Sequence, residues 1–150
     1  MERAVSSAES YGELVQIIYS SRSLLAGTTA EIAAGIADIL AVSHRNNARD
    51  DVTGALFFNG RSFAQTLEGK SLAVADCYAH ILKDKRHTDI RLLRHEYVTA
   101  RCFEGWAMAY VEGPCGLGFT ISPGFLHATV AKNDEAAAVL ELMRHVMAYP

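Results

Sequence analysis

The segment VTGALFFNGRSFAQTL, residues Val52–Leu67, decides the fold, because it holds two strand patterns separated by Asn59-Gly60. The first pattern runs over Val52–Phe58 and the second over Arg61–Leu67. Because an Asn-Gly pair favours a two-residue type I′ turn, the sequence predicts a β-hairpin here. We expect the Glu-Gly-Lys that follows at residues 68–70 to end the second strand.

Two further patterns precede this hairpin. Leu14–Ser20 (LVQIIYS) is apolar on both faces at period two, which predicts a central strand. Thr28 and Glu31 then match a capping box, which predicts a helix running from there to about Asn46.

Helix and strand patterns also follow the hairpin. Ser71 is expected to cap a helix from Leu72 to about Lys83, whose apolar stripe consists of Val74, Tyr78, Ile81 and Leu82. Two strands are expected after it, at Ile90–Thr99 and Ala107–Val111. Beyond them we expect a short helix near Pro123–Val130 and a helix at Asp134–Ala148 that is capped by Asn133 or Asp134.

The order of elements is β-α-β-β-α-β-β with a helical tail. This order predicts an α+β, ferredoxin-like fold: a mixed five-stranded sheet with two helices on one face, plus a C-terminal helical extension. We expect a flexible lead at residues 1–12, a binding domain at 13–112, and a linker with helices at 113–150. The last helix is amphipathic enough to cover the other face of the sheet or to dock a second protomer, through Leu140, Leu142, Met143, Val146 and Met147.

Composition narrows the class of protein. The chain has 150 residues and a net charge of -3 with mixed signs, which argues against a nucleic-acid-binding surface. No apolar run suits a membrane span, and the N-terminus lacks the pattern of a secretory signal. The cysteines Cys77, Cys102 and Cys115 are far apart and the histidines do not cluster, so we expect reduced thiols, a cytoplasmic location and no metal.

Gln65 is a polar residue on an apolar strand face, which it shares with Phe63 and Leu67. A buried amide without partners costs about 1–3 kcal/mol, so Gln65 needs a polar partner or a backbone contact inside the protein. Tyr19 lies on a similar face with Val15, and the topology makes their two strands neighbours. The Tyr19 hydroxyl could therefore meet the Gln65 amide, or it could lie at the rim of the core.

Several other residues admit both a structural and a ligand-binding interpretation. Asn46-Asn47 could end the first helix as a cap or present two amides to a ligand. Ile39 and Ile81 lie at comparable depths of the two helices, where they could form a slot for a flat ring or simply fill the core.

Two later groups of residues also admit both a structural and a functional interpretation. The segment Asp84–His87 ends the second helix, where its cations complement the helix dipole, and Arg86 could instead bond a carbonyl oxygen or a phosphate of a ligand. Trp106 and Met108 should share one face by period two, either as core filling or as a pair that can exchange places.

Taken together, these residues resemble the BLUF family of blue-light receptors, which bind FAD. The likeness covers roughly Leu14 to Val111. It rests on the blocks IIYSS around Tyr19, NNARDDVTGAL around Asn47, FAQTLEG around Gln65, DKRH around Arg86, and GWAM around Trp106 and Met108.

The resemblance implies a photochemical site. Tyr19 would donate an electron and a proton, and Gln65 would lie between Tyr19 and the flavin N5/O4 edge. The Gln65 side chain would rotate or tautomerise, and the absorption would shift to the red. Flavin contacts would come from Asn47, Asn46, Arg86, Ile39, Ile81, Ser43, Asp84 and His87.

The resemblance also implies an output route and partners. The signal would pass through the last strand near Trp106 and Met108 to the C-terminal helices and a separate effector protein. The cofactor would be FAD, with FMN possible because the ring contacts are the same. The chain would act as a sensor and not an enzyme, form homo-oligomers, and bind neither nucleic acid nor a membrane.

Three other interpretations fit the same order of elements. An RNA-binding module of the RRM kind would need exposed aromatic and basic residues on its third strand. A hydrolase of acylphosphatase-like fold would need an anion-binding loop after the first strand, where Arg22 and Gly27 are the main features. A plain dimerising ferredoxin-like domain would need neither the exposed aromatic and basic residues nor the anion-binding loop.

Overall fold

The computed structural model describes residues 13–112 and 132–148. The described elements follow the predicted order. They are β1 Leu14–Ser23, α1 Thr29–Asp50, β2 Thr53–Phe58, β3 Ser62–Lys70, α2 Ser71–Leu82, β4 His87–Val98, β5 Ala109–Glu112 and α3 Lys132–Ala148. The glycine-rich segment at 113–118 and the helix expected near 123–130 lie outside the described residues.

The five strands form one mixed sheet in the order β4-β1-β3-β2-β5. β1 pairs antiparallel with both β3 and β4, β2 pairs antiparallel with β3, and β5 runs parallel to β2. This arrangement confirms the ferredoxin-like prediction and the central position of β1. Tyr19 pairs directly with Gln65 in the β1–β3 register.

Both faces of the sheet are covered. One core lies under α1 and α2 and includes Val15, Ile36 and Val74. The other lies under α3, where Met143 packs with Phe57 and the sheet's second face. The last helix therefore covers the sheet, which was the first of its two predicted roles. Among the described helices, none is long and apolar enough to cross a bilayer.

Helix α1 begins as predicted but ends later than predicted. Glu31 N donates to Thr28 Oγ1 at 3.1 Å and Thr28 N donates to Glu31 Oε1 at 2.7 Å, which completes the capping box. The helix continues past Asn46-Asn47 to Asp50, and its C-cap Asp51 has a left-handed φ of 57° and donates its N–H to the Asn47 carbonyl. The interpretation of the two asparagines as a cap is therefore wrong, because both lie inside the helix.

The β2–β3 turn lies one residue later than predicted. Phe58 pairs with Phe63, and Asn59 N donates to the Ser62 carbonyl at 3.2 Å, so Gly60 and Arg61 form the tip of the hairpin. Gly60 has a φ of 93°, but Asn59 is not among the positive-φ residues of the described chain. Asn59 Oδ1 accepts from the N–H groups of Arg61 and Ser62 at 3.0 and 2.8 Å. This side-chain turn stabilises a hairpin tip that is shifted by one residue from the predicted Asn59-Gly60 pair.

Three predictions about boundaries and caps, and one about the apolar stripe of α2, are also wrong. β3 continues through Glu68 to Lys70 because these residues stay paired with β1. Lys70 is the N-cap of α2 and makes no side-chain cap bond, so Ser71 is not the cap. Leu82 is 50% exposed and lies outside the apolar stripe. α3 begins at Lys132, so residues 133 and 134 lie within its first turn and do not cap it.

Candidate functional site

A cavity of about 200 Å³ lies between α1 and α2, with the sheet as its floor. The floor includes Tyr19 and Gln65. All eight residues predicted to contact a flavin line this one cavity: Ile39, Ser43, Asn46, Asn47, Ile81, Asp84, Arg86 and His87. The volume is below the roughly 300–1,000 Å³ of pockets that hold whole drug-sized ligands, which suits a site that encloses only one flat group.

Tyr19 and Gln65 meet at the cavity floor. Side chains of paired residues on neighbouring strands stand on the same face, which puts the hydroxyl and the amide together. The Tyr19 hydroxyl donates to Gln65 Oε1, and both residues are buried, at 3% and 4% exposure. Gln65 Nε2 lies 3.4 Å from Met108 Sδ, a weak acceptor. Gln65 thus has the internal partner that its burial requires.

The environment keeps Tyr19 neutral. Burial raises the pKa of the Tyr19 hydroxyl well above its ordinary value, and Cys77, Tyr78 and Asp84 raise it further. Desolvation disfavours the phenolate because its charge would lie in a medium of low polarity. Tyr19 is therefore a protonated hydrogen-bond donor throughout the physiological range.

Asn47 bridges α1, α2 and the segment before β5. Its Nδ2 donates to the Ala107 carbonyl at 2.9 Å, and the Cys77 thiol donates to its Oδ1 at 3.8 Å. Burial raises the pKa of Cys77 to about 11, so this thiol stays protonated. A primary amide offers two N–H donors and two lone pairs, and these contacts use one donor and one weak bond. Asn47 therefore keeps hydrogen-bonding capacity for a ligand.

Arg86 lies on the turn after α2. Its Nε and Nη2 bond the Asp84 carboxylate at 2.9 and 2.7 Å, and its Nη1 reaches Asp38 of α1 at 3.0 Å. The hydrogen bonds from Arg86 hold the pKa of Asp84 below its usual value. The predicted position at the end of a helix is wrong, because α2 ends at Leu82. The guanidinium instead links the two sides of the cavity.

His87 and the two isoleucines complete the walls. His87 begins β4; its Nε2 donates to the Ile81 carbonyl at 2.8 Å, and its Nδ1 lies 2.7 Å from the Ser21 hydroxyl. Ile39 and Ile81 line the cavity from α1 and α2 and pack on the adjoining core. One apolar side chain from each helix gives a flat ring two contact surfaces.

Trp106 and Met108 do not share a face. Met108 is buried at 2% exposure and its sulfur faces the Gln65 amide, whereas Trp106 is 53% exposed. The period-two prediction is wrong because both residues precede β5, which begins only at Ala109. The alternation of side chains applies within a strand and not to the irregular segment before it.

Sequence reasoning missed two polar residues that hold the segments around this site. Glu68 is fully buried, and its carboxylate accepts from Gln16 Nε2, Cys102 N and Phe103 N at 3.1, 2.7 and 3.0 Å. His44 Nε2 lies 2.7 Å from the Met108 carbonyl. The alternation of side chains that places Gln65 on one face of β3 places Glu68 on the other. If the predicted strand had been extended to residue 68, this alternation would have indicated a carboxylate on the second face of the sheet. The sequence carries no comparable signal for His44.

Within residues 13–112 and 132–148, no group of three His, Cys, Asp or Glu side chains could hold a metal ion. The polar groups that line the cavity include three amides, a phenol, two histidines, and the ion pairs Arg86–Asp84 and Arg49–Asp50. Such groups bind by hydrogen bonding to a ligand with several donors and acceptors along one edge.

Comparisons with known protein families and sequences bear on this site. The model of the BLUF family, described as sensors of blue-light using FAD, matches residues 14–109. The blue light- and temperature-regulated antirepressor BluF of Escherichia coli (strain K12) is 41% identical over 68 aligned residues, which make up 45% of this chain and 17% of that protein. The photoactivated adenylate cyclase subunit beta of Euglena gracilis is 42% identical over 52 aligned residues, which make up 35% of this chain and 6% of that protein. The chain thus matches less than a fifth of the length of these relatives.

Solved structures give the same family. The dark-state structure of BlrB, a BLUF protein, superposes with a TM-score of 0.71 and 28% identity, over 91% of this chain and 98% of that one. A bacterial light-regulated adenylyl cyclase superposes with a TM-score of 0.61 and 29% identity, over 89% of this chain and 34% of that one.

Proposed function

Because this chain belongs to the BLUF family of blue-light sensors that use FAD, we propose that it is a blue-light photoreceptor whose photoactive pair is Tyr19 and Gln65. The observation that carries the proposal is the direct hydrogen bond from the Tyr19 hydroxyl to the Gln65 amide on the floor of the cavity. A phenol bonded to an amide that has another weak partner can rearrange without burying a new charge.

The residues of the cavity suit a flavin. The isoalloxazine ring is flat and presents alternating acceptors and a donor along one edge. Gln65 Nε2 has a thioether as its acceptor among the described residues, and Asn47 retains free donor and acceptor capacity. Amides match such an edge because they offer both kinds of group. Asn47 would bond the ring edge, with contacts from Asn46, Arg86, Ser43, Asp84 and His87, and the ring would lie between Ile39 and Ile81.

Light chemistry requires a chromophore, and a bound flavin supplies blue-light absorption and an excited ring that accepts an electron. The chain supplies the rest. Tyr19 holds the transferable electron and proton at its hydroxyl, and its raised pKa keeps that proton in place in the dark. Gln65 has two amide orientations that exchange its oxygen and nitrogen between Tyr19 and Met108. The alternative orientation would change the hydrogen bonds offered to the chromophore and so shift its absorption.

We propose that the output leaves the cavity through the segment before β5. Met108 contacts Gln65, and the exposed Trp106 lies two residues away on the surface. β5 continues from this segment and contacts α3, which gives a route to the C-terminal helix. The similarity to an antirepressor and to cyclase subunits supports coupling to an effector. We propose that this effector is a separate protein, with the chain itself acting as the sensor.

Two finer expectations also belong to this proposal. A cytoplasmic location is supported by Cys77 and Cys102, which are free thiols. A homo-oligomer is supported by β4, which pairs only with β1 among the described strands and carries the exposed Tyr97 near its end. The RNA-binding alternative is disfavoured because β3 is buried on both faces from Ser62 to Gly69.

The test is to purify the full chain under gentle conditions and record its absorption before and after blue light. We expect a bound flavin and a small red shift of its band that reverses in the dark without bleaching. A protein without flavin, or a flavin band that blue light leaves unchanged or bleaches, would contradict the proposal.

A further inference from the structure

The segment before β5 is held by three successive carbonyl groups. The Trp106 carbonyl accepts from Gly54 N at 3.1 Å, and the Ala107 carbonyl accepts from Asn47 Nδ2 at 2.9 Å. The Met108 carbonyl lies 2.7 Å from His44 Nε2. Two of the three partners are side chains of α1, so this helix fixes the backbone that carries Met108.

Of these three contacts, the one made by His44 is to Met108 itself. A carbonyl oxygen only accepts, so Nε2 carries the proton and donates it. The same residue, Met108, turns its buried sulfur toward Gln65 Nε2 at 3.4 Å. His44 thus lies one residue removed from the amide of the photoactive pair, although it is itself exposed on α1.

The sulfur distinguishes between the two orientations of the Gln65 amide. With the nitrogen toward the sulfur, a donor meets a weak acceptor, and the oxygen accepts from Tyr19. In the reversed orientation the amide oxygen would face the sulfur, which brings two acceptors together. The position of Met108 therefore favours the first orientation.

We propose that His44 is a positioning residue of the light switch. By holding the Met108 carbonyl, it keeps the sulfur against Gln65 and stabilises the dark arrangement of the amide. The inference rests on the proposed photoreceptor function but concerns a residue outside the cavity lining. A purely structural bond between helix and strand would instead affect stability alone.

The experiment compares dark recovery of the flavin-loaded full chain after a blue-light pulse in His44→Ala, His44→Gln and the wild type. We expect His44→Ala to keep the red shift and to recover roughly two- to tenfold more slowly, the factor that corresponds to one hydrogen bond. His44→Gln retains a donor and should recover at nearly the wild-type rate. His95→Ala, at an exposed histidine of β4, is the matched control and should recover as the wild type does.

A double mutant tests the route through sulfur. Met108→Leu removes the sulfur at similar volume, so adding His44→Ala to it should cause no further change in recovery. Wild-type recovery in His44→Ala, a His44→Gln variant as slow as His44→Ala, or a full His44→Ala effect in the Met108→Leu background would each overturn the inference. A wild type without any red shift would instead overturn the photoreceptor function itself.

Discussion

Tyr19 and Gln65 are direct partners across β1 and β3, and the tyrosine hydroxyl donates to the amide oxygen inside the protein. β1 and β3 lie side by side in the middle of the sheet, covered by α1 and α2 on this face. The backbone of each partner strand is paired on both sides. The Gln65 side chain can reorient without breaking this pairing, which suits a switch that changes hydrogen bonds and leaves the fold unchanged.

Replacement of Gln65 by Leu should abolish the red shift while flavin still binds. Leu keeps the size of the side chain but has no amide to reorient, and the cavity walls remain. The buried Tyr19 hydroxyl would lose its acceptor, at a cost to stability of about 1–3 kcal/mol. Light-minus-dark absorption spectra measure the shift.

The matched control is Gln16→Leu, the same change at a buried glutamine of β1 that bonds Glu68. This variant should lose stability yet keep the red shift. A red shift of normal size in Gln65→Leu would refute the role given to that residue.

Replacement of Asn47 by Ala should weaken flavin binding more than replacement of Asn46 does. Asn47 is 3% exposed, and its amide is held between Ala107 and Cys77, so its remaining polar capacity is preorganised. Asn46 is only half-buried. We expect about 1–3 kcal/mol loss of binding for Asn47→Ala. Fluorescence titration of the apoprotein with flavin gives both affinities, and equal losses would contradict the assignment.

Replacement of Glu68 by Ala should lower the free energy of unfolding by about 2–4 kcal/mol, because the N–H groups that bond its buried carboxylate lose their acceptor. Two of these are the backbone groups of Cys102 and Phe103. Urea denaturation of the flavin-loaded chain measures the change. Glu104→Ala is the control at an exposed position of the same loop and should change stability little; equal effects of the two would exclude the anchoring role of Glu68.

Stability should fall at alkaline pH partly through Tyr19. The pKa of Tyr19 is raised in the folded state, so its stabilising contribution is complete below the unfolded pKa of about 10. Above that pH only the unfolded chain loses the proton, and the contribution declines. Tyr110, whose pKa is raised to about 12, adds to the same decline.

This prediction is checked by urea denaturation at several pH values from about 8 to 11. Tyr19→Phe should show a shallower decline than the wild type, with the part due to Tyr110 remaining. Identical slopes for the two proteins would show that Tyr19 titrates alike in the folded and unfolded states.

Much of the site could be predicted because it lies on regular strands. Alternation along β1 and β3 puts Tyr19 and Gln65 on the same face as their apolar neighbours, and the order of elements makes the two strands adjacent. The capping box at Thr28 fixed the start of α1 for the same local reason. These features depend on local patterns within each element and on the order of the elements.

The features that could not be predicted depend on contacts distant in sequence. Asn47 lies inside α1 and its amide bonds Ala107, 60 residues away. The Glu68 carboxylate finds its donors at Cys102 and Phe103, 34 and 35 residues away. The side chains of Trp106 and Met108 differ in burial because both residues precede β5, where the alternation of side chains along a strand does not apply.

The light-minus-dark absorption spectrum of Tyr19→Phe tests the central claim most directly. This variant lacks only the hydroxyl that bonds Gln65, and Tyr97→Phe makes the same change at an exposed tyrosine of β4. We predict that both variants bind flavin, that Tyr97→Phe shows the reversible red shift, and that Tyr19→Phe shows none. A normal, reversible red shift in flavin-loaded Tyr19→Phe would contradict the assignment of Tyr19 and Gln65 as the photoactive pair.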